Sequence, residues 1–577
     1  PRPIAWFGAR SFWGHLGHLA ASVIATEDID SRDWMRAEGP EVFTRRVGTA
    51  LGAQYDAASL SEAIDADVWI DYVADTGDCG AVSYAVARMI FGEYEVPDPE
   101  DATRTLTLPR GDLLIFGGDT AYPVATELEI HNRVIVPYNR VLRAATDGKT
   151  RVLLGVPGNH DWFAGLDGFH RMFHERRGSV ARRSRLPDDT VDRAGQVGHL
   201  FEWIEAFSVG RFVAKRSALP LEGYLPVQSA SYWALRLAPS LDLWGADRQL
   251  RSVDFHQQLY FAQAREDHGV MLCIADPVYA FLEPNRPGVE ILQSLDMTME
   301  GDGVCILTGD THHYCRQEFG KGMHVVAGGG GAFLHPARIL RSGLEAPAAE
   351  FPGPRTSLAL ALQVPWAIVH GRSGFLVHLA IAFFYLPWFG GLATHSWRGL
   401  WPAVLTGVVG ALACFLIGGF WRAKRAWLVT LLALVAGLAM GATPIVLKQL
   451  WQLIIGLASW SLSPRWFLGL SFGITVYVAT LIFGTYLMVL TVLGLEQHQA
   501  FGALAHPGYK HFVRLRVRKD GSAVDGWVLG SVDPLSKKDQ VVLVDRFTWQ
   551  NPARRRSALR PDEQPAPVAP AEPAATA

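Results

Sequence analysis

Apolar runs in the first part of the chain repeatedly end in short clusters of Asp, Asn, His and Gly. The runs cover residues 68–78, 112–120, 151–161, 269–277 and 303–314. Their β-branched and leucine-rich character, followed by a Gly or Pro turn, is typical of buried strands. In open sheets of this kind, functional groups gather at the carboxyl edge of the strands. The pattern therefore predicts that the polar endings meet in space although they are far apart in sequence.

A second pattern follows, in which no Asp or Glu occurs between Glu350 and Glu496 while apolar residues run almost continuously. At helical rise, about 20 apolar residues cover a hydrocarbon layer of ~30 Å. The pattern predicts a transmembrane bundle over 370–495 with four spans, at 374–389, 400–420, 427–447 and 466–495. The short apolar stretch 450–462 is interpreted as interfacial or re-entrant.

Basic residues indicate the orientation of this bundle. Arg422, Lys424 and Arg425 crowd the turn between the second and third spans, and basic turns stay on the cytosolic side. Four spans then leave both chain ends inside. The expected localisation is multi-pass in the cytoplasmic (inner) membrane, with the catalytic domain and the C-terminus in the cytosol.

The flanking regions complete the expected organisation. Residues 1–66 are predicted to form an N-terminal helical segment that packs on the catalytic domain at 67–350. Alternating basic and apolar residues at 511–518 and strand-like runs at 527–532 and 540–544 predict a small β-rich cytosolic module over 496–550. The Pro- and Ala-rich residues 551–577 are predicted to be disordered.

Composition narrows the chemistry only a little. A formal net charge of -3 gives no whole-chain reason to expect a nucleic-acid partner. The five cysteines contain no CxxC pair, which fits a reducing compartment. At the strand endings, hard oxygen ligands mixed with imidazole suit divalent manganese, iron or zinc. Two such ions would clamp a phosphate and lower the pKa of a bound water, so no Ser or Cys nucleophile is needed.

The motifs GGDT, GNHD and GDTHH, in that order and each after a strand, resemble the calcineurin-like metallophosphoesterase family. The resemblance covers roughly 68–336 and is carried mainly by GNHD. It implies an α/β (α+β) double-sheet sandwich flanked by helices, with a two-metal centre. It further implies that Asp119 bridges the metals, Asn159 binds the second metal, His160 stabilises or protonates the leaving oxygen, and Asp161 orients His160.

The chain departs from the family pattern at three motifs. Asp75 remains an expected ligand, but Gly77 stands where the family has a histidine, and Asp78 is either a replacement ligand or a helix cap. Asp310 replaces the first histidine of the last motif, while His312 matches the second.

Three further residues are assigned around these motifs. Asp276 is the candidate ligand at the position of the lone family histidine. His313 is an extra imidazole for metal or substrate phosphate, and His335 is expected to reach the mouth of the site.

These replacements make the expected site harder and more anionic, which favours manganese or magnesium over zinc, with iron as a further possibility. The expected function is hydrolysis of a phosphomonoester or phosphodiester by attack of a metal-bound hydroxide. The membrane bundle suggests a lipid-linked phosphate as substrate. The alternative is a catalytically degenerate membrane sensor or scaffold, motivated by the missing histidines.

Overall fold

The structure is a computed structural model of the 577-residue chain. It describes residues 4, 6, 8, 35–53, 57–98, 104–145, 147–174, 218–248, 253–372, 374–393, 401–419, 425–458 and 464–553. The predictions for the C-terminal tail, except at its first three residues, and for Arg422 and Lys424 lie outside this part of the chain.

Strands are spread over both ends of the described chain. They are β1 (Val68–Val73), β2 (Tyr94–Pro97), β3 (Thr105–Leu108), β4 (Leu113–Phe116), β5 (Arg151–Gly155), β6 (Tyr224–Pro226), β7 (Trp233–Ala238), β8 (Leu241–Gly245), β9 (Gly269–Ile274), β10 (Tyr279–Ala280), β11 (Glu283–Pro284), β12 (Cys305–Thr308), β13 (Tyr314–Phe319), β14 (Gly322–Ala327), β15 (Ala349–Phe351), β16 (Lys510–Val517), β17 (Ala523–Ser531) and β18 (Val542–Gln550).

Helices flank the strands and fill the segment between β15 and β16. They are α1 (Pro40–Ala50), α2 (Leu60–Ile64), α3 (Gly80–Ile90), α4 (Glu127–Ile130), which continues through a π-helix (His131–Ile135) into α5 (Val136–Leu142), α6 (Asn159–Phe163), α7 (Asp167–Phe173), α8 (Phe255–Ala264), α9 (Arg286–Ser294), α10 (Met299–Asp302), α11 (Pro354–Ala361), α12 (Val364–Val369), α13 (Leu376–Ala393), α14 (Trp401–Ile417), α15 (Ala426–Ala458), α16 (Pro464–Val492) and α17 (Gln499–Leu504).

Two seven-stranded sheets form the centre of the molecule. Their strand orders are β18-β17-β16-β1-β4-β5-β6 and β15-β13-β14-β12-β9-β8-β7. Ile70 and Ile115 of the first sheet share one buried cluster with Leu307 and Val325 of the second. The architecture is therefore mixed α/β, with an apolar core between two sheets.

The five apolar runs of the sequence are strands, as predicted: β1, β4, β5, β9 and β12. In the first sheet β1, β4 and β5 are parallel neighbours, and in the second β9 and β12 are parallel. Because parallel strands end at the same edge of a sheet, their polar endings lie together.

The C-terminal residues differ from the prediction of a separate small β-rich module. β16 pairs antiparallel with β1, and β17 and β18 continue the same sheet. The pairing sets Asp71 opposite Arg514, and both side chains are fully buried with 2.6 Å between Arg514 Nε and Asp71 Oδ1. The alternating basic residues of this strand are typical of an exposed strand. In the structure its central residue, Arg514, is buried because the buried Asp71 carboxylate compensates its charge.

The helical segment agrees with the sequence prediction in part. Residues 426–451 of α15 and 466–492 of α16 are long and apolar enough to cross a membrane, while α13 and α14 contain only shorter apolar stretches. The separate segment predicted at 450–462 is wrong for its described part, because α15 runs without a break from Ala426 to Ala458. The helix continues because Lys448 is a good helix former and no Pro or Gly follows it before Gly456.

From residue 35 onward, the described N-terminal segment contains the helices α1 and α2. α1 inserts Phe43 and Val47 into the core between the sheets, and a capping box of Ser59 and Glu62 begins α2. Ile4 and Trp6 do not belong to this core and pack against Tyr122 instead.

Candidate functional site

Three aspartates that follow strands form the floor of the site. Asp75 follows β1, Asp119 follows β4 and Asp310 follows β12, so both sheets contribute. All three have left-handed backbone conformations, with φ of 59°, 49° and 60°. Non-glycine residues rarely adopt this conformation, and such residues cluster at functional sites.

Glycines beside these aspartates make room for the carboxylates. A Cβ on Gly158 would lie 2.1 Å from Asp119 Oδ1, and a Cβ on Gly309 would lie 2.6 Å from Asp75 Oδ2. The glycines of GNHD and GDTHH are therefore required by close approach to a neighbouring strand ending, in addition to any role in their own turns.

Tyr122 was not predicted from the sequence, yet its hydroxyl joins the predicted ligands. It donates a hydrogen bond to Asp75 Oδ1 at 2.8 Å and lies 3.2 Å from Asp119 Oδ2 and 3.1 Å from His312 Nε2. His312 Nε2 is 3.5 Å from Asp75 Oδ1. We call Asp75, Asp119, Tyr122 and His312 the tyrosine half of the site.

Tyr122 also explains the absent histidine at Gly77. A Cβ on Gly77 would lie 2.7 Å from the Thr120 carbonyl oxygen and 2.8 Å from Ala121 Cα. The Tyr122 N–H donates to the Gly77 carbonyl oxygen at 3.2 Å. The backbone that leads to Tyr122 thus occupies the space of a side chain at Gly77, and the phenol supplies a polar atom instead.

The tautomer of His312 is set by its surroundings. Its Nδ1 lies 2.8 Å from the Phe333 carbonyl oxygen, which can only accept, so Nδ1 carries the proton. Nε2 then directs a lone pair at the tyrosine half. This is the arrangement of a metal-binding histidine that is oriented through its other ring nitrogen.

The tyrosine half fits a hard divalent ion by donor chemistry. Neighbouring ligands around an ion with bonds of about 2.1 Å lie ~3 Å apart, and the contacts of Tyr122 have this length. Among the described residues, His, Cys, Asp and Glu side chains alone form no group of three that could hold an ion. The phenol is the contact that Asp75, Asp119 and His312 share.

Two other predicted ligands, Asp276 and Asp310, form together with Arg248 what we call the arginine half. The Asp276 carboxylate pairs with Arg248, whose Nε lies 2.6 Å from Asp276 Oδ2. The Asp310 N–H donates to Asp75 Oδ2 at 2.9 Å. Desolvation, with Asp276 and Asp75 nearby, raises the pKa of Asp310 to about 8.

Electrostatic repulsion is concentrated at Asp119, the carboxylate of the tyrosine half that also lies near Asp310 of the arginine half. Burial and the neighbouring Asp75, Asp161 and Asp310 raise the pKa of the Asp119 carboxyl well above its ordinary value. Buried carboxylates this close need a positive charge in order to ionise together. A bound cation would provide that charge, which is a second reason why the donor set suits a metal.

The GNHD residues begin α6. Asn159 is its first residue, directly after the close contact between Gly158 and Asp119. The His160 N–H donates to Asp119 Oδ1 at 2.9 Å, and the imidazole lies 4.5 Å from the Tyr122 ring between centroids. Both Asn159 and His160 are half-buried, so His160 borders both the site and solvent.

Asp161 has a different role from the one that the family resemblance implied. Its carboxylate accepts N–H groups from Gly158 at 2.9 Å and Thr120 at 3.3 Å. His160 Nδ1 instead lies 2.6 Å from the Pro123 carbonyl oxygen. Asp161 therefore fixes the turn, and the Pro123 carbonyl group orients His160.

Asp78 is directed away from the tyrosine half. Its Oδ1 accepts the Ile4 N–H at 2.9 Å, and burial raises the pKa of the Asp78 carboxyl. The N-cap of α3 is Cys79, so Asp78 is not that cap. The buried Lys510, from the start of β16, lies near Asp78 and donates to the Ala332 carbonyl oxygen at 2.5 Å. Burial lowers the pKa of Lys510 to about 8.

His313 and His335 are both only 3% exposed, so His335 does not reach the site mouth as expected. His313 stacks on Phe281, and burial lowers its pKa to about 3. His335 stacks on His312 with ring centroids 4.1 Å apart, and its Nδ1 accepts the His312 N–H at 3.0 Å. His335 Nε2 lies 3.4 Å from Nδ1 of His498, which comes just after α16.

Comparison with known proteins adds little to this geometry. No protein-family model and no curated protein matches the chain. Among solved structures, the chain is similar to GAP50, the anchor in the inner membrane complex of Plasmodium, at 10% sequence identity and a TM-score of 0.28. The alignment covers 46% of this chain and 73% of that chain.

Proposed function

We propose that this protein is a metal-dependent phosphoesterase that hydrolyses a phosphomonoester or phosphodiester. One observation carries the proposal: two carboxylates, a phenol and an imidazole with its lone pair directed inward meet beside a half-exposed histidine. A divalent cation held there supplies a Lewis acid for the phosphate and for an attacking water.

The residues of the chain have separate roles in this proposal. Asp75, Asp119, Tyr122 and His312 hold the cation. His160 contacts the leaving group: the Pro123 carbonyl oxygen accepts from Nδ1–H, so Nε2 of a protonated ring can donate to the leaving oxygen. The arginine half binds either a second cation or a substrate phosphate through Arg248, since guanidinium groups match phosphate oxygens.

We further propose that the protein is an integral membrane protein with several spans and a cytosolic site. Two long apolar helices support membrane association. Arg425, directly before α15, supports a cytosolic end for that helix. The pairing of β1 with β16 supports an even number of spans, because it brings together the residues before and after the bundle.

Hydrolysis of paired generic mono- and diesters by full-length protein with added manganese tests the enzyme. Turnover should require manganese and should be lost in Asp119→Asn and in His160→Ala. Asp296→Asn is the matched control, because Asp296 is fully exposed and has a similar φ of 52°. Absence of turnover together with absence of bound metal would reject the proposal.

A second candidate function is a membrane sensor or scaffold that binds a ligand without turnover. The Arg248–Asp276 ion pair favours this candidate, because the predicted metal ligand Asp276 is already paired with a guanidinium. Metal binding by calorimetry without hydrolysis of either ester class would support this candidate over the enzyme.

A further inference from the structure

Three large apolar side chains lie exposed in a row on α11, α12 and their short connection. Leu358, Leu362 and Trp366 are 37%, 54% and 52% exposed. Their spacing of four residues places them on one helical face. We call these three residues the apolar row.

The opposite face of α11 and α12 is packed against the helical bundle. Leu360, Val364 and Ile368 belong to a buried cluster that also contains Leu487 and Leu490 of α16. The backbones come close as well, because a Cβ on Gly484 would lie 2.7 Å from Pro365 Cα. The apolar row is therefore held at a fixed position beside the last turns of α16.

α11 is connected to the candidate site by a hydrogen bond. The Ala337 N–H donates to Ser357 Oγ on α11 at 2.9 Å. Ala337 lies two residues after His335, which stacks on His312 of the tyrosine half. The helix that begins the apolar row is thus hydrogen-bonded to the segment that follows His335.

Exposed apolar residues continue the row onto α13. Phe375, Leu379 and Phe383 are 57%, 66% and 69% exposed. Exposed Arg355 and Arg372 flank the row on either side, and the sequence has no Asp or Glu from residue 351 to 495. An apolar face with cationic ends and an aromatic residue suits the headgroup region of an anionic bilayer.

We propose that the apolar row lies in the bilayer interface and brings the membrane surface to the site, so that the substrate is a phosphate ester carried on a lipid. The bilayer is favoured as the occupant because α11 and α12 pack against α16, one of the two helices long and apolar enough to cross a membrane. The position of the row does not depend on catalysis, whereas the substrate class rests on the proposed function.

A probe attached to the row tests its position. Full-length Leu362→Cys, labelled with an environment-sensitive fluorophore, is placed in vesicles of phosphatidylcholine and phosphatidylglycerol whose acyl chains carry a shallow nitroxide quencher. All five native cysteines are buried, so labelling is directed to the new thiol. Leu225→Cys on β6 is the matched control, at 46% exposure.

Fluorescence at position 362 should be quenched and blue-shifted, while position 225 should report water. Equal quenching and equal emission at the two positions would overturn the interfacial position of the row, whatever the protein hydrolyses.

The substrate class is tested with phosphatidic acid in the same vesicles and with p-nitrophenyl phosphate in solution. Leu362→Glu should lower turnover of phosphatidic acid by about tenfold and leave p-nitrophenyl phosphate turnover unchanged, because a carboxylate is unfavourable in the interface. Leu225→Glu should leave both unchanged.

Two outcomes would overturn the lipid assignment. Equal loss on both substrates in Leu362→Glu would show a general effect on the site. Turnover of p-nitrophenyl phosphate alone by the wild type would exclude this lipid class while retaining the phosphoesterase. If the wild type turns over neither substrate, the lipid assignment fails, the paired mono- and diester assay decides the proposed function, and the quenching result still decides the position of the row.

Discussion

The two halves of the site both contain buried carboxylates, but the partners of these carboxylates differ. In the tyrosine half, Asp75 and Asp119 face a phenol and an imidazole lone pair, neither of which supplies positive charge. In the arginine half, Asp276 faces the guanidinium of Arg248. Under the proposed function the first half would receive a cation, whereas the second already contains the guanidinium.

This difference shows why a match of ligand types does not establish a two-metal site. A fixed cation beside a carboxylate weakens the attraction of that carboxylate for a cation from solution. Asp276 and Asp75 are both carboxylate ligand types. Asp276 is paired with the Arg248 guanidinium, whereas Asp75 accepts a hydrogen bond from the Tyr122 hydroxyl. The contrast predicts unequal metal affinities in the two halves.

The strongest test of the contrast is Asp119→Asn, because Asp119 borders both halves. Loss of its charge should lower turnover by about 10²–10³-fold, the range for removal of one preorganised electrostatic group. Elemental analysis should show loss of metal in parallel. Asp296→Asn, on an exposed residue in the same left-handed conformation, should change neither quantity. Full metal retention in Asp119→Asn would contradict the assignment.

Tyr122→Phe tests the tyrosine half alone. Removal of the hydroxyl should weaken metal binding by about 10–100-fold, as for other groups that support a metal site, when measured by calorimetry. Tyr138→Phe is the matched control, since its hydroxyl is also buried but has no hydrogen-bond partner in the described structure. Equal metal affinity in the two variants would show that the phenol is not part of the donor set.

Arg248→Met tests the arginine half. A unit charge a few ångströms away contributes about 1–4 kcal/mol between bulk water and an effective dielectric of 20, so its removal should raise the affinity of a second cation by at least fivefold. Metal-to-protein stoichiometry at limiting manganese is the measurement. Arg248→Lys should retain the wild-type stoichiometry. A wild-type stoichiometry in Arg248→Met would show that the pair with Asp276 does not control binding.

The sequence predicted what depends on local pattern. Apolar runs that end in Asp identified β1, β4 and β12. Parallel pairing brought Asp75 and Asp119 together, and packing of the second sheet on the first brought Asp310 to Asp75. Tyr122 lies only three residues after Asp119, so a signal was present. Its contact with His312 depends on the path of the loop, which periodicity does not describe.

Pairings between distant segments were not predictable in the same way. Val68 pairs with Val517 across the whole helical segment, and no local feature of β16 indicates β1 as its neighbour. Arg248 pairs with Asp276 because β8 and β9 are parallel neighbours and their ends meet. The order of strands in a sheet determines such contacts, and hydrophobic alternation gives only the strands themselves.

The smallest expected effect is on the pH dependence of the stability of metal-free protein. It tests the arginine half through the carboxyl group of Asp310. The pKa of Asp310 is raised from 3.8 to about 8, so the folded state holds its proton more tightly than the unfolded state. This contribution to stability is complete below about pH 4 and is lost as the pH rises towards about 8. The thermal midpoint of metal-free protein should fall across that range.

Asp310→Asn should reduce this pH dependence, because an amide does not titrate. Asp296→Asn should leave it unchanged, since the Asp296 side chain is fully exposed. Added manganese should restore the midpoint mainly at the upper end of the range, where the carboxylates are ionised and able to bind it. An unchanged slope in Asp310→Asn would mean that titration of Asp310 does not cause the pH dependence.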